Sequence, residues 1–287
     1  MKKYFILMLS SLFLILCGCT RTEIIPNGKP KIYTSFYALY DFTNKIGGDK
    51  INLKNIMPPA VEPHDWEIST QDIVDLENAD ALIYNGSGLE IWIDKVKNTL
   101  QNQIEYIDLT KDMQIKNDPH VWLNPLLAKK QFKKIYKSLS KIDVQNQNYY
   151  KENYLAVSKQ IDELDKKIRN AVKNFKSKDI VVAHQAYKYF CDEYGLNQIA
   201  LEGIEEESEP TVERMKEVTD FIENNDVKYI FYEGSPSKAI KTIAQDTGVN
   251  LLELNPFEYL TKQQISNGDD YFSIMEKNLE NLKVALE

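Results

Sequence analysis

Short runs of β-branched and aromatic residues alternate with amphipathic segments along most of the chain. Residues 31–34 (Lys-Ile-Tyr-Thr) read as a strand, followed by a helix over 37–46 that Gly47-Gly48 brings to a stop. A second strand is predicted over 51–56. A helix over about 70–78 follows, with Ser69 or Thr70 as its cap. Residues 81–85 (Ala-Leu-Ile-Tyr-Asn) form a buried-type strand closed by Gly86-Ser87-Gly88. A helix containing 92–99 and a strand over 105–109 complete this part. Repeated strand-helix alternation implies a mostly parallel sheet with helices on both faces.

The period changes near residue 145. From there to about 175, Tyr150, Tyr154, Val157, Ile161, Leu164 and Ile168 recur at spacings of three and four, which marks one apolar stripe on a long helix. Asp162–Lys166, Glu163–Lys167 and Asp165–Arg169 place an acid four residues ahead of a base and support its exposed face. Such a helix, about 28 residues, is about 42 Å long. The alternation then resumes, with strands over 179–183, 228–232 and 251–254 and helices over 186–193, 211–224, 237–247 and 269–286. The expected fold class is therefore α/β, with two doubly wound, mostly parallel lobes over 31–142 and 178–287. One long rigid helix, within 143–177, joins them.

The N-terminal stretch follows neither period. Lys2 and Lys3 precede an apolar run over 4–16, short for a membrane span, that ends in Leu16-Cys17-Gly18-Cys19. This pattern predicts a lipoprotein signal peptide over 1–18 and lipidation at Cys19. Residues 19–30 then serve as a tether that holds the folded body off the membrane.

Composition narrows the function. A hydrophobic fraction of 43% and a charged fraction of 27% describe an ordinary globular chain. The net charge of −8 argues against nucleic acid as a partner, because phosphate binding needs a basic face. The three cysteines, Cys17, Cys19 and Cys191, form no CxxC pattern and suggest no disulfide in the mature chain.

The chain has only three histidines, and each falls just past a predicted strand or in the loop after it: His64, His120 and His184. In open α/β sheets that is where ligands bind. Three imidazoles and a carboxylate complete a tetrahedron suited to Zn²⁺. The carboxylate is open among Glu258, Glu233 and the acidic run 205–209, with the strand-end acids Glu258 and Glu233 favoured by position. Glu67, Asp65 and Asp118 are candidates to orient imidazoles, and Trp66, Trp92, Trp122 and Tyr187 to wall a cleft.

These residues carry a resemblance. Glu-Pro-His-Asp-Trp-Glu at 62–67, Asp-Pro-His-Val-Trp-Leu at 118–123 and His-Gln-Ala-Tyr-Lys-Tyr-Phe at 184–190 resemble the ligand motifs of zinc/manganese solute-binding lipoproteins of ABC importers. Residues 34–37, 209–211 and 255–258 match further blocks of that family. The resemblance implies two four-stranded lobes bridged by a long helix, with the metal in the cleft between them. It implies His64, His120, His184 and Glu258 as metal ligands.

An imidazole at 184, where manganese-selective relatives carry an acid, points to Zn²⁺ rather than Mn²⁺ as the transported ligand. The implied partners are an ABC permease with its ATPase, and the membrane through the N-terminal lipid on the extracytoplasmic side, for a protein expected to be monomeric. Two departures stand out: no histidine-rich loop precedes the second motif, and Asn124 replaces a frequent Asp. A surface adhesin with a structural zinc and a zinc hydrolase are the alternative classes.

Overall fold

The structure is a computed structural model that describes residues 28–101, 103–115, 118–204 and 210–287. The expected signal peptide, Cys19, most of the tether and the acidic run 205–209 lie outside the described residues.

Eight short strands form two parallel sheets. β1 (Lys31–Thr34), β2 (Asn52–Asn55), β3 (Ala81–Tyr84) and β4 (Glu105–Asp108) take the order β2-β1-β3-β4. β5 (Asp179–Val182), β6 (Asn197–Ala200), β7 (Tyr229–Tyr232) and β8 (Asn250–Glu253) repeat it as β6-β5-β7-β8. In register, Ile32 faces Leu53 on one side and Ala81 on the other, and Val181 lies between Ile199 and Ile230.

The helices of the first lobe are α1 (Tyr37–Gly47), α2 (Thr70–Leu76), α3 (Ile93–Leu100) and α4 (Pro125–Ile142). The long α5 (Gln147–Val172) follows. The second lobe carries α6 (Lys188–Tyr194), α7 (Val212–Asn224), α8 (Lys238–Thr247), α9 (Lys262–Ser266) and α10 (Tyr271–Leu286). Ser69 caps α2 in a reciprocal pair with Asp72, which satisfies two donors of the first turn.

Three elements were not anticipated from the sequence. α4 begins where Asn124 Oδ1 accepts the N–H groups of Leu126 at 2.8 Å and Leu127 at 3.2 Å, with Pro125 in the first helical position. β6 is a short edge strand of which half is polar, and α9 is a five-residue helix. α4 and α5 are joined by a tight turn and run antiparallel: Lys129 pairs with Asp162 at 2.6 Å, and Tyr136 stacks on Tyr154 at 5.3 Å.

Side chains alternate between two faces of each sheet. On β3, Ile83 enters the central core and Leu82 an outer cluster with Trp92 and Val96. On β5, Ile180 and Val182 point inward and Val181 outward, toward Ile230 and Ile243. The inner faces of both sheets, α5 and α10 share one continuous core that includes Phe42, Phe132, Tyr150, Phe231 and Tyr271. Truncating a fully buried member such as Ile32 to Ala costs about 2–5 kcal/mol.

The two lobes are further joined by Lys45 of α1, which sits 3.1 Å from Asp41 and 2.6 Å from Asp270 at the start of α10. Burial pushes the Asp41 carboxyl up to about 6 against the opposing pull of Lys45.

Candidate metal centre

Each of the four residues converging here is delivered by a loop leaving the carboxyl end of a strand. His64 lies in the irregular segment between β2 and α2, His120 in the segment between β4 and α4, His184 directly after β5, and Glu258 after β8. The loops after β4 and β8 each carry an Asx-Pro turn just before the residue they bring to the site. Asp118 Oδ1 accepts the His120 N–H at 2.9 Å, and Asn255 Oδ1 accepts the Phe257 N–H at 2.7 Å.

The same Asp118 oxygen lies 2.8 Å from His120 Nδ1, which fixes the ring and leaves Nε2 facing the other ligands. Behind this loop, Asn85 Nδ2 donates to the Pro119 carbonyl at 2.9 Å. The buried Glu90 carboxylate holds the N–H groups of Asn85 at 2.7 Å and Gly86 at 3.0 Å.

The potential donor atoms of His64, His120, His184 and Glu258 all lie within 4.8 Å of one another. His64 Nε2 is 3.0 Å from His120 Nε2, His120 Nε2 is 3.1 Å from Glu258 Oε1, and His64 Nε2 is 3.9 Å from the same oxygen. A tetrahedral zinc with bonds of about 2.0–2.1 Å has ligand atoms about 3.3 Å apart, so these separations need only small adjustments around an ion. The His184 ring centroid is 4.9 Å from that of His120 and 5.5 Å from that of His64. His120, His184 and Glu258 are at most 1% exposed, and the His64 side chain is 5% exposed.

The electrostatics suit a cation. Neither oxygen of the buried Glu258 carboxylate receives a hydrogen bond of good geometry, a costly arrangement for an anion unless a positive charge compensates it. Burial raises the Glu258 carboxyl, but contact with His120 and His64 and the charge of His184 outweigh it and hold it well below the ordinary range. Burial disfavours the charged form of His120, yet Asp118 and Glu258 together raise it to about 9. A proton is therefore favoured on His120, and a cation bound at this position would have to displace it.

The remaining sequence candidates fall in different places. Asp118 meets His120, and Glu233 Oε1 lies 3.2 Å from His184 Nδ1. Glu67 is exposed, and Trp66 packs edge-on against Trp92 with ring centroids 5.4 Å apart, so neither is brought to the imidazoles. Glu62 takes the place expected of Glu67: its Oε1 accepts the His64 N–H at 3.4 Å and lies 4.0 Å from Nε2. Sequence reasoning also missed the Ile204 carbonyl, 2.8 Å from His184 Nε2. Its one available signal is that Ile204 directly precedes the acidic run. Tyr187 is buried and donates its hydroxyl to the Leu254 carbonyl at 2.6 Å, which anchors the end of β8. A cavity of about 250 Å³ lined by Glu233, Glu253, Glu258 and Tyr259 adjoins the carboxylate.

Residues 32–285 match the family model described as zinc-uptake complex component A, periplasmic. The chain is 30% identical over 306 residues to the high-affinity zinc uptake system protein ZnuA of Bacillus subtilis, covering 97% of this chain and 96% of that protein. It is 32% identical over 305 residues to the zinc-binding lipoprotein AdcA of Streptococcus pneumoniae. That match covers 99% of this chain but only 61% of the relative, so the chain spans about three fifths of AdcA. Among solved structures, the Zn(II)-bound ZnuA-like domain of S. pneumoniae AdcA superposes with a TM-score of 0.82 at 33% identity, covering 90% of this chain and 99% of that one.

Proposed function

Because the chain belongs to the family of periplasmic zinc-uptake complex component A, we propose that it captures Zn²⁺ outside the cytoplasm and delivers it to an ABC-type permease driven by its ATPase. The observation that carries this reading is the convergence of His64, His120, His184 and Glu258 within 4.8 Å in a buried setting. Three imidazole nitrogens and one carboxylate favour Zn²⁺ over Mn²⁺, which prefers oxygen-rich sites. A carboxylate in the fourth position leaves no place for an activated water, so the site binds without catalysing.

In this reading Asp118 orients His120 and Glu233 steadies His184. Residues 31–142 and 178–287 act as the two lobes that the permease engages, with 143–177 as the link between them. Membrane attachment rests on lipidation of Cys19 after removal of 1–18, with 19–30 as the tether. Among the described residues no helix is long and apolar enough to cross a membrane. Release follows when docking shifts the lobes and lifts the Glu258 turn, since a partner moves the equilibrium only by favouring one of the two arrangements.

Calorimetric titration of the metal-stripped body tests the reading. One Zn²⁺ per chain is expected, bound more tightly than Mn²⁺, with a narrower preference in His184→Glu. Equal affinity for both ions in the wild type contradicts the zinc assignment.

A further inference from the structure

The two loops that carry an Asx-Pro turn are joined, besides the His120–Glu258 contact, by a side-chain hydrogen bond. Trp122, two residues past His120 and fully buried, donates its indole N–H to the Pro256 carbonyl at 2.7 Å, two residues before Glu258. Its ring lies 5.3 Å from the His120 ring and 4.9 Å from Phe36. Its own carbonyl accepts the hydroxyl of the buried Tyr271 at 2.9 Å, so residue 122 is tied to the second lobe at both ring and backbone.

The turn bearing Glu258 is held by its backbone. Asn278 Oδ1 accepts the Asn255 N–H at 2.9 Å, and Asn278 Nδ2 donates to the Asn255 carbonyl at 2.7 Å. Phe257, fully buried, has φ +58, a left-handed conformation that a non-glycine residue keeps only when its surroundings enforce it. The Glu258 carboxylate itself receives no hydrogen bond of good geometry, its nearest donor being His120 Nε2, 3.1 Å from Oε1. Where it lies is therefore set largely by what grips residues 255–257; from the first lobe the side-chain hydrogen bond to them is the indole of Trp122, beside the Tyr37 ring packed edge-on against Phe257 with centroids 5.8 Å apart.

The geometry points to Trp122 as the positioning residue of the fourth ligand. Its indole N–H sets the Glu258 turn against His120 and converts separation of the lobes into loss of the carboxylate from the metal. This rests on the reading of His64, His120, His184 and Glu258 as one zinc site. Ligand geometry tolerates displacements of only about 0.5 Å, so a turn freed from Pro256 no longer presents its carboxylate in register. Docking of a permease that parts the two loops breaks this bond first and releases Glu258, while the imidazole of His120 keeps its own partner in Asp118.

The test is a double-mutant cycle of Trp122→Phe and Glu258→Ala, because Phe keeps a buried aromatic ring and removes the donor with a modest loss of volume, and the cycle separates that loss from the coupling to Glu258. Zinc release into excess chelator and the absorption spectrum of the Co²⁺-loaded protein are read for the wild type, both single variants and the double. Trp122→Phe is expected to speed release by roughly tenfold to a hundredfold and to move the Co²⁺ spectrum toward that of Glu258→Ala. The double variant is expected to release zinc no faster than Glu258→Ala alone. An undiminished effect of Trp122→Phe in the Glu258→Ala background overturns the proposal, as does a wild-type rate and spectrum in Trp122→Phe.

Should Trp122→Phe fail to fold by circular dichroism, Tyr271→Phe takes its place in the same cycle. It loosens Trp122 through its carbonyl and is held to the same criteria, with a smaller shift of the same sign. If Glu258→Ala alone binds and releases zinc as the wild type does, the four-ligand site fails and the proposal with it. Additivity beside an impaired Glu258→Ala sinks the proposal alone.

Discussion

The loops after β4 and β8 occupy the same place in two sheets of the same strand order, and each carries an Asx-Pro turn just before its site residue. Each folds an Asx oxygen onto the N–H two residues on, at 2.9 Å from Asp118 and 2.7 Å from Asn255. They differ in what they do for the ligand. Asp118 also meets the Nδ1 of His120, so that ring is clamped by a charged side chain. Asn255 is neutral and its loop runs one residue further, through the left-handed Phe257, to a carboxylate that no hydrogen bond of good geometry holds, on a residue that lines a cavity. One loop holds its ligand directly and the other only through backbone. Withdrawing His120 breaks its pair with Asp118 as well as its contact with Glu258, whereas moving Glu258 gives up only its contacts with the imidazoles, which in the proposed reading makes the second loop the one suited to letting a metal go.

The largest effects come from removing the ligands. Zinc in structural sites is worth about 10–16 kcal/mol, or about 3 kcal/mol for each of four ligands, so His120→Ala is expected to weaken binding by at least about a hundredfold in chelator competition. The loss exceeds an equal share because Asp118 is left buried without its partner. Glu258→Ala is expected to weaken binding less than His120→Ala, with the change concentrated in faster release. A larger loss from Glu258→Ala breaks the comparison.

Asp118→Asn keeps the shape of the turn and removes the charge behind the imidazole. A loss of about tenfold to a hundredfold in zinc affinity is expected, and a change of less than about twofold means that the clamp is only local structure.

Acidity separates the two loops further. The folded-state value for His120 is raised from 6.5 to about 9. Its contribution to the stability of the metal-free protein is therefore full below about pH 6.5 and lost as pH rises through about 9, about 3 kcal/mol at about 1.4 kcal/mol per pH unit. Asp41, raised from 3.8 to about 6, acts in the same direction at lower pH. The melting temperature of the metal-free protein is thus expected to fall between pH 6.5 and 9. Zinc affinity rises over the same window by up to about tenfold per unit, because zinc competes with a proton. Melting scans and titrations at pH 6.5, 7.5 and 8.5 read both slopes, and parallel slopes contradict the assignment of that proton to His120.

The smallest change expected is at the exposed pair of Lys129 and Asp162, which bridges α4 and α5. Lys129→Ala is expected to cost at most about 1 kcal/mol in denaturant unfolding and to leave zinc affinity unaltered.

The two-lobed α/β architecture was legible because runs such as 81–84 and 179–182 are apolar on both faces, as strands covered by helices on both sides must be. α4 escaped because its buried stripe of Ala128, Phe132, Ile135 and Leu139 is interleaved with lysines and includes the polar Gln131. β6 escaped because a four-residue edge strand reading Asn-Gln-Ile-Ala carries almost no apolar signal. The histidines stood out by their positions after strands, and Asp118 was visible because its contact spans two residues. Glu62 and Glu67 flank His64 almost symmetrically in sequence, and only the path of the chain decides that Glu62 is beside the ring. The bond from Trp122 to Pro256 crosses 134 residues, and no local pattern announces it.

The central claim, one buried zinc held by three imidazoles and the Glu258 carboxylate, is met most directly by X-ray absorption at the zinc edge of the loaded protein. Four nitrogen or oxygen neighbours at about 2.0–2.1 Å are expected, with the outer-shell scattering of three imidazoles, falling to two in His184→Ala. Five or six neighbours, or fewer than three imidazoles in the wild type, contradicts it.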